Sequence, residues 1–274
     1  EGKPWFLAVN LVNPHDVMFF DTDAPGTPVN PHRGITHVAR APVDPLYAKQ
    51  WDFDLPRSHD QAIDAPGRPP AHTDFLASHD AMVGNIPDER DPWERRHNFY
   101  LNCIRDVDRN IHALLEELDA SGLADRTIVI LTADHGDMDG AHQLHAKGAV
   151  AYREQNNVPL YIVHPALRGG KTVDAVTTHV DLAPTLVAFT GAEASKQAQI
   201  TRGLPGKDLS AVLKAPEHAG LDAVREGALF NYNMFAYVDG PFLQKAAGFI
   251  NAGNGPKKLK ASGSTCPFQS NWQT

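Results

Sequence analysis

Three aspartates (Asp134, Asp137, Asp139), three histidines (His135, His142, His145) and Lys147 fall within fourteen positions, directly after the apolar run 127–132. Asp134 and His135 are adjacent at the end of that run. A carboxylate and an imidazole placed there can approach one divalent cation from two directions, and the pair suits zinc, manganese, calcium or magnesium alike. A calcium loop does not fit the spacing: counting back from Gly140 puts His135 at the first ligand position and Ala146 at the last. A zincin does not fit either, because His142 and His145 are three apart with no His-Glu-x-x-His pattern. Lys147, among glycines and histidines, offers a fixed positive charge to an anion. His15 follows a second apolar run, 5–12, and lies between Pro14 and Asp16. A histidine at a strand end is placed to hand a proton to a leaving oxygen. Each residue also has a plain reading, as a solvated turn, a surface lysine or a loop histidine. Together they suggest an anionic ester held by a cation, a lysine and a histidine.

The elements that must position these residues follow from pattern. "WFLAVNLV" (5–12) reads as a fully buried strand, and 127–132 and 158–164 as two more, with a short fourth at 173–178. Between the first two, Tyr100, Ile104, Val107, Ile111, Leu114, Leu115 and Leu118 recur at helical spacing, so a helix is predicted over 93–121. Asp91-Pro92 opens it and Gly122 closes it. Strand 5–12, this helix and strand 127–132 make a candidate β-α-β unit with parallel neighbours. In such sheets sites gather at the carboxyl ends of strands, where both His15 and Asp134-His135 fall. Further on, a helix capped at Asp181, with Pro184 in its first turn and Gly191 at its end, and a shorter one over 208–213, are expected. Residues 230–238 suggest a hairpin. Residues 21–92 carry eleven prolines and little periodicity, the mark of a functional surface or a wrapping segment.

The chain of 274 residues is long enough for a sizeable core. No apolar run approaches the roughly 18 residues of a membrane span. The net charge of −8, spread along the chain, counts against nucleic acid and membrane surfaces as partners. Two cysteines, Cys103 and Cys266, cannot define a disulfide framework, so compartment stays open.

The segments "KPWFLAVNLVNPHD", "TIVILTADHGDMDGAHQLHAKG", "NNVPLYIVHP" and "THVDLAPTLVAFTGA" resemble, in order and approximate spacing, those of sulfatases, within the alkaline phosphatase superfamily. The helix "YLNCIRDVDRNIHALLEELDASGLADRT" is similar to the one preceding their second metal motif. The resemblance is strong over 3–20 and 93–191 and faint over 21–92 and past 215. It implies an α/β fold, a mostly parallel central sheet flanked by helices and incomplete at its N-terminus. Residues 1–215 would be part of the catalytic domain, with 21–90 a long proline-rich insertion, and 216–274 the start of a C-terminal region. It implies Asp134 and His135 as metal ligands, usually for calcium and sometimes for magnesium or manganese. His15 would contact the sulfate or its leaving oxygen, Lys147 a sulfate oxygen, and His142 the substrate. The expected substrate is a small-molecule or carbohydrate sulfate ester. Neither "CIRDV" nor "CPFQS" fits the motif that matures to the formylglycine nucleophile, and the family's paired aspartates are missing. Both are expected before residue 1, and the 274-residue chain alone is expected to lack turnover. A phosphodiesterase or phosphonate monoester hydrolase of the same superfamily, and a non-catalytic anion-binding remnant, are the alternative readings.

Overall fold

Pro69 and Pro70 lead into the first helix, α1 (Ala71–Val83), and Gly84 ends it at φ +87°, its N–H bonded to the Asp80 carbonyl at 2.8 Å. This is the computed structural model of the protein, and it describes residues 3–30, 33–233 and 240–252. The chain divides into two compact units, the first Glu1–Glu116, Gly136–Gln155 and Tyr232–Thr274, the second Glu117–His135 and Asn156–Asn231.

In the first unit α2 (Arg90–Ala120) is the long element. Asp91 and Pro92 lie in its first turn, so it begins three residues before the predicted start. Its buried side chains are Pro92, Trp93, Arg96, Asn102 and Cys103, whereas Ile104, Leu114 and Leu115 of the predicted apolar stripe are each 42% exposed. Burial pushes the Cys103 thiol up to about 12, so it is an inert core residue. The proline-rich stretch is folded onto this helix. Asn102 donates to the Tyr47 and Lys49 carbonyls at 3.0 and 2.9 Å and accepts from the Trp51 indole at 2.9 Å. Arg105 donates to the Leu46 carbonyl at 3.1 Å, and Asn98 accepts the Trp51 N–H at 2.7 Å. Side chains of α2 thus satisfy a backbone that has no ladder to satisfy it.

The second unit holds β1 (Val129–Thr132) and, after α3 (Arg153–Asn156) of the intervening chain, β2 (Leu160–Val163). They pair antiparallel, Val129 opposite Val163 and Thr132 opposite Leu160. The connection re-enters beside the point where it left, which gives an antiparallel pair. A parallel one needs a crossover. Among the described residues this is the single sheet, so the mostly parallel central sheet is not seen. Residues 5–12 form no strand: Trp5, Phe6, Leu7, Val9, Leu11 and Val12 are all exposed, so their apolar pattern reflects β character without a ladder partner here. Residues 173–178 form no strand either; Val176 donates to the Leu221 carbonyl at 2.8 Å. Of the expected hairpin, 230–233 are irregular and 234–238 lie outside the described residues.

Three helices complete the second unit, α4 (Leu182–Phe189), α5 (Ala194–Ile200) and α6 (Ser210–Lys214). Asp181 stands at the N-cap of α4, as expected, and Thr178 forms a capping box with it across the 3-10 turn His179–Asp181 that leads in. Asp181 is fully buried, accepts the Thr178 and Lys207 N–H groups at 2.9 and 2.7 Å, and is gripped by the Arg225 guanidinium. In the first unit α7 (Gly240–Asn251) packs on α1, with Ala246 and Ala247 buried.

Burial alone pulls the Asp181 carboxyl up, but Arg225 and the two backbone donors outweigh it and hold it below the ordinary range. The unfolded state then binds the proton first, so this stabilisation is present above the unfolded carboxyl pKa and is lost as pH falls. Asp181→Ala should cost about 3–5 kcal/mol at neutral pH and less in acid, read by urea denaturation at both.

Candidate active site

The run 136–150 is shaped by its apolar residues. Met138, Ala141, Leu144 and Val150 form a buried cluster with Phe75 of α1, with Ile63, Leu76 and Tyr152 packed against it. Four non-glycine residues adopt left-handed backbone here, Asp139 (φ +40°), His142 (+58°), Gln143 (+55°) and Ala146 (+62°). Such conformations persist only where the surroundings over-determine them. The Met138 N–H to Ala146 carbonyl and Gly140 N–H to Leu144 carbonyl bonds, both 2.9 Å, close the loop, and His142 N–H is tied to the Ser58 carbonyl at 3.1 Å.

One cation organises the polar side of the loop. Arg96, 2% exposed, donates to Asp137 Oδ1 at 3.0 Å and Asp139 Oδ1 at 2.6 Å. His97 Nδ1 lies 2.6 Å from Asp139 Oδ2, and the Asp139 N–H donates to Asp137 Oδ1 at 2.8 Å. Burial raises the Asp137 carboxyl, yet Arg96 and the Asp139 N–H hold it below its usual range. Two of the three aspartates in the ligand-rich run are therefore ion-pair partners of a helix arginine. His145 is also interior: its Nε2 is 3.5 Å from Asp80 Oδ1, and its ring lies edge-on to His79 and Trp93.

Lys147 and His15 meet in this same unit. Lys147 Nζ donates to the His15 carbonyl at 3.3 Å and sits 3.4 Å from Met18 Sδ, while His15 Nδ1 faces Asp16 Oδ1 at 3.0 Å. His79 Nε2 contacts the Lys147 carbonyl at 3.2 Å. His142 stacks on Tyr152 with ring centroids 3.9 Å apart, its Nδ1 against Gln61 and its carbonyl accepting from Arg68 at 2.8 Å. Residues of the proline-rich stretch thus set the His142 ring.

Asp134 and His135 belong to the second unit, just past β1. Asp134 Oδ1 accepts the His135 N–H at 2.9 Å and Oδ2 is 3.4 Å from His135 Nε2, with the two side chains 85% and 36% exposed. An open carboxylate facing an imidazole fits a divalent ion as two donors of a larger set. Among the described residues no cluster of three or more such ligands forms.

A family model described as Sulfatase matches residues 1–192. The chain belongs to the sulfatase family. It is 34% identical over 133 residues to an ulvan-active sulfatase of Formosa agariphila, covering 47% of this chain and 24% of that protein. It is 34% identical over 134 residues to an N-acetylglucosamine-6-O-sulfatase of Bacteroides thetaiotaomicron, covering 48% and 23%. The chain therefore spans about a quarter of the length of these curated relatives. Among solved structures it is similar to a phosphonate monoester hydrolase from Silicibacter pomeroyi, with TM-score 0.52 and 26% identity over 65% of this chain and 35% of that one. The likeness supports an alkaline phosphatase-like fold.

Several residues that hold this region were not singled out in the sequence. Arg96 and His97 stand in "WERRHN", where only their distance in helical turns from Trp93 hinted at an inward face. His79 and Gln155 gave no signal. The role of Gly136 is steric: a Cβ there would stand 1.9 Å from the Glu154 carbonyl oxygen.

Replacing Arg96 with Met keeps roughly the volume and removes the guanidinium from two buried carboxylates, leaving Asp139 with His97 and Asp137 with a single backbone N–H. The expected loss is about 3–5 kcal/mol, measured by chemical denaturation. Burial, with His145 adding to it, drives the His79 imidazole down to about 3. Between that value and the ordinary histidine range the unfolded state binds more protons, so stability falls as pH drops. From pH 7 to pH 5 His79 should contribute a loss of about 2 kcal/mol, one that His79→Phe removes from the denaturation profile.

Proposed function

We propose that this chain forms part of a sulfuric ester hydrolase acting on sulfated carbohydrate, with residues 1–215 in its catalytic domain, 21–90 an insertion bearing on specificity, and 216–274 opening a C-terminal region. A mostly parallel, alkaline phosphatase-like central sheet belongs to that whole domain. The observation that carries the reading is Lys147, whose ammonium lies 3.3 Å from the backbone of His15 although 132 positions separate them. In this reading the fixed positive charge and the ring carried by the His15 segment both serve one anionic group.

In this reading Lys147 binds a sulfate oxygen and offsets the charge that the ester carries. Asp16 orients the His15 ring through Nδ1, leaving Nε2 to serve the departing oxygen. His142, braced by Tyr152, contributes a hydrogen bond to the substrate. Asp134 and His135 hold a divalent ion, calcium in the first instance, whose positive charge supplies Lewis-acid stabilisation. The formylglycine nucleophile of the family is assigned to polypeptide other than these residues. The relatives' names, an ulvan-active sulfatase and an N-acetylglucosamine-6-O-sulfatase, favour a saccharide sulfate as substrate.

The test is turnover by the polypeptide as its gene encodes it, on an aryl sulfate, 6-sulfated N-acetylglucosamine and an aryl phosphonate monoester. Lys147→Ala should lower kcat/KM for the sulfate ester by about 10²–10³-fold. Its denaturation midpoint should move little. Asp134→Asn should abolish dependence on added calcium. Wild-type rates in Lys147→Ala would refute the assignment, and preferred turnover of the phosphonate would transfer it to phosphonate monoester hydrolysis.

A further inference from the structure

Building on that reading, we propose that Gln155 is a positioning residue that clamps the two ends of the ligand-bearing loop and so fixes the reach of Lys147. Gln155 is 4% exposed and every polar group it carries is engaged. Its Oε1 accepts the Gly148 N–H at 2.6 Å, and its Nε2 donates to the Gly148 and Val150 carbonyls, both at 3.0 Å. Its own backbone carbonyl accepts the Gly136 N–H at 2.7 Å. Gly136 immediately follows His135, and Gly148 immediately follows Lys147. One residue therefore holds the peptide after the proposed metal pair and the peptide after the proposed sulfate-binding lysine.

The chemistry requires a carboxamide. It carries an acceptor and two donors on one planar end, whereas a carboxylate offers no donor and an aliphatic side chain offers neither. Both glycines are locked against their surroundings. A Cβ at Gly136 would collide with the Glu154 carbonyl oxygen, and one at Gly148 would lie 2.5 Å from Phe75 Cε2. The Lys147 carbonyl, in the same peptide as the Gly148 N–H, contacts His79, and the peptide before Lys147 is held where the Ala146 carbonyl accepts the Met138 N–H at 2.9 Å. Gripped before and after, the Lys147 backbone has one path, and only its side-chain torsions remain to place the ammonium beside His15. An apolar residue of similar size would leave the Gly148 N–H and the Gly148 and Val150 carbonyls buried without this partner. An apolar residue cannot hold two peptide groups in a set orientation.

The experiment compares wild type, Gln155→Leu and Gln155→Glu in the full 274-residue chain. Amide exchange at Gly136 and Gly148 is followed by NMR, global stability by denaturation, and Lys147 by titration with inorganic sulfate. In Gln155→Leu the Gly148 amide should exchange roughly ten-fold faster relative to the amides of β1 and α4, whereas Gly136, bonded to the main-chain carbonyl of residue 155 that Leu keeps, should change less. Sulfate should bind the folded protein several-fold more weakly. Gln155→Glu, which keeps the Gly148 N–H acceptor, should fall between. Should Gln155→Leu not fold, Gln155→Glu and Gln155→Asn carry the same comparison. Exchange at Gly148 unchanged, or accelerated in step with every other amide while sulfate affinity stays at the wild-type value, would overturn the proposal. A wild type with no saturable sulfate response overturns the sulfatase reading instead, and the selectivity of exchange alone then decides for or against the clamp.

Discussion

A guanidinium buried between two carboxylates carries the geometry on which the loop 136–150 depends. Arg96 reaches Asp137 and Asp139 from α2, and His97 takes the remaining oxygen of Asp139. Ion pairs so placed give little net stability, since desolvation offsets most of the attraction. What they impose is selectivity among conformations. With both aspartates fixed to one helix, the chain between them and Lys147 must pass through four left-handed residues to bring Met138, Ala141 and Leu144 into the core. The apolar cluster supplies the favourable energy, and the ion pairs select which loop uses it.

That division explains what could be read from the residues alone. Asp134, His135, His15 and Lys147 stand out because clustered chemistry-bearing side chains beside apolar runs are recognisable without a structure, and the family match agrees with the resemblance those segments carry. Asp137 and Asp139 share that appearance yet point at an arginine 41 and 43 positions away. No local pattern separates an aspartate that coordinates from one that pairs. Long-range partners decide it.

Secondary structure divides the same way. The helix predicted over 93–121 is present as α2 because its signals, a proline in the first turn and a terminating glycine, are local. The segment 5–12 has the composition of an interior strand, but a strand exists only when an edge pairs with it, and that is not a property of eight residues. Residues 21–92, read from their prolines as a functional surface or a wrapping segment, also hold α1 (Ala71–Val83), which the pattern did not announce. The order of 46–51 comes from Asn98, Asn102 and Arg105, which bond that backbone one group at a time. Periodicity cannot register that kind of support.

The close approach at Gly136 bears on how this site could diverge. The obstacle to any side chain there is a main-chain oxygen of Glu154, and main-chain atoms are common to all twenty residues. No second substitution can clear the space, as one at Phe75 could for a neighbour of a different kind. A lineage could exchange the donors proposed at 134 and 135 to suit another ion and keep this loop. Changing the third letter would oblige it to reroute the backbone of 153–156, and with it the residue that grips Gly148.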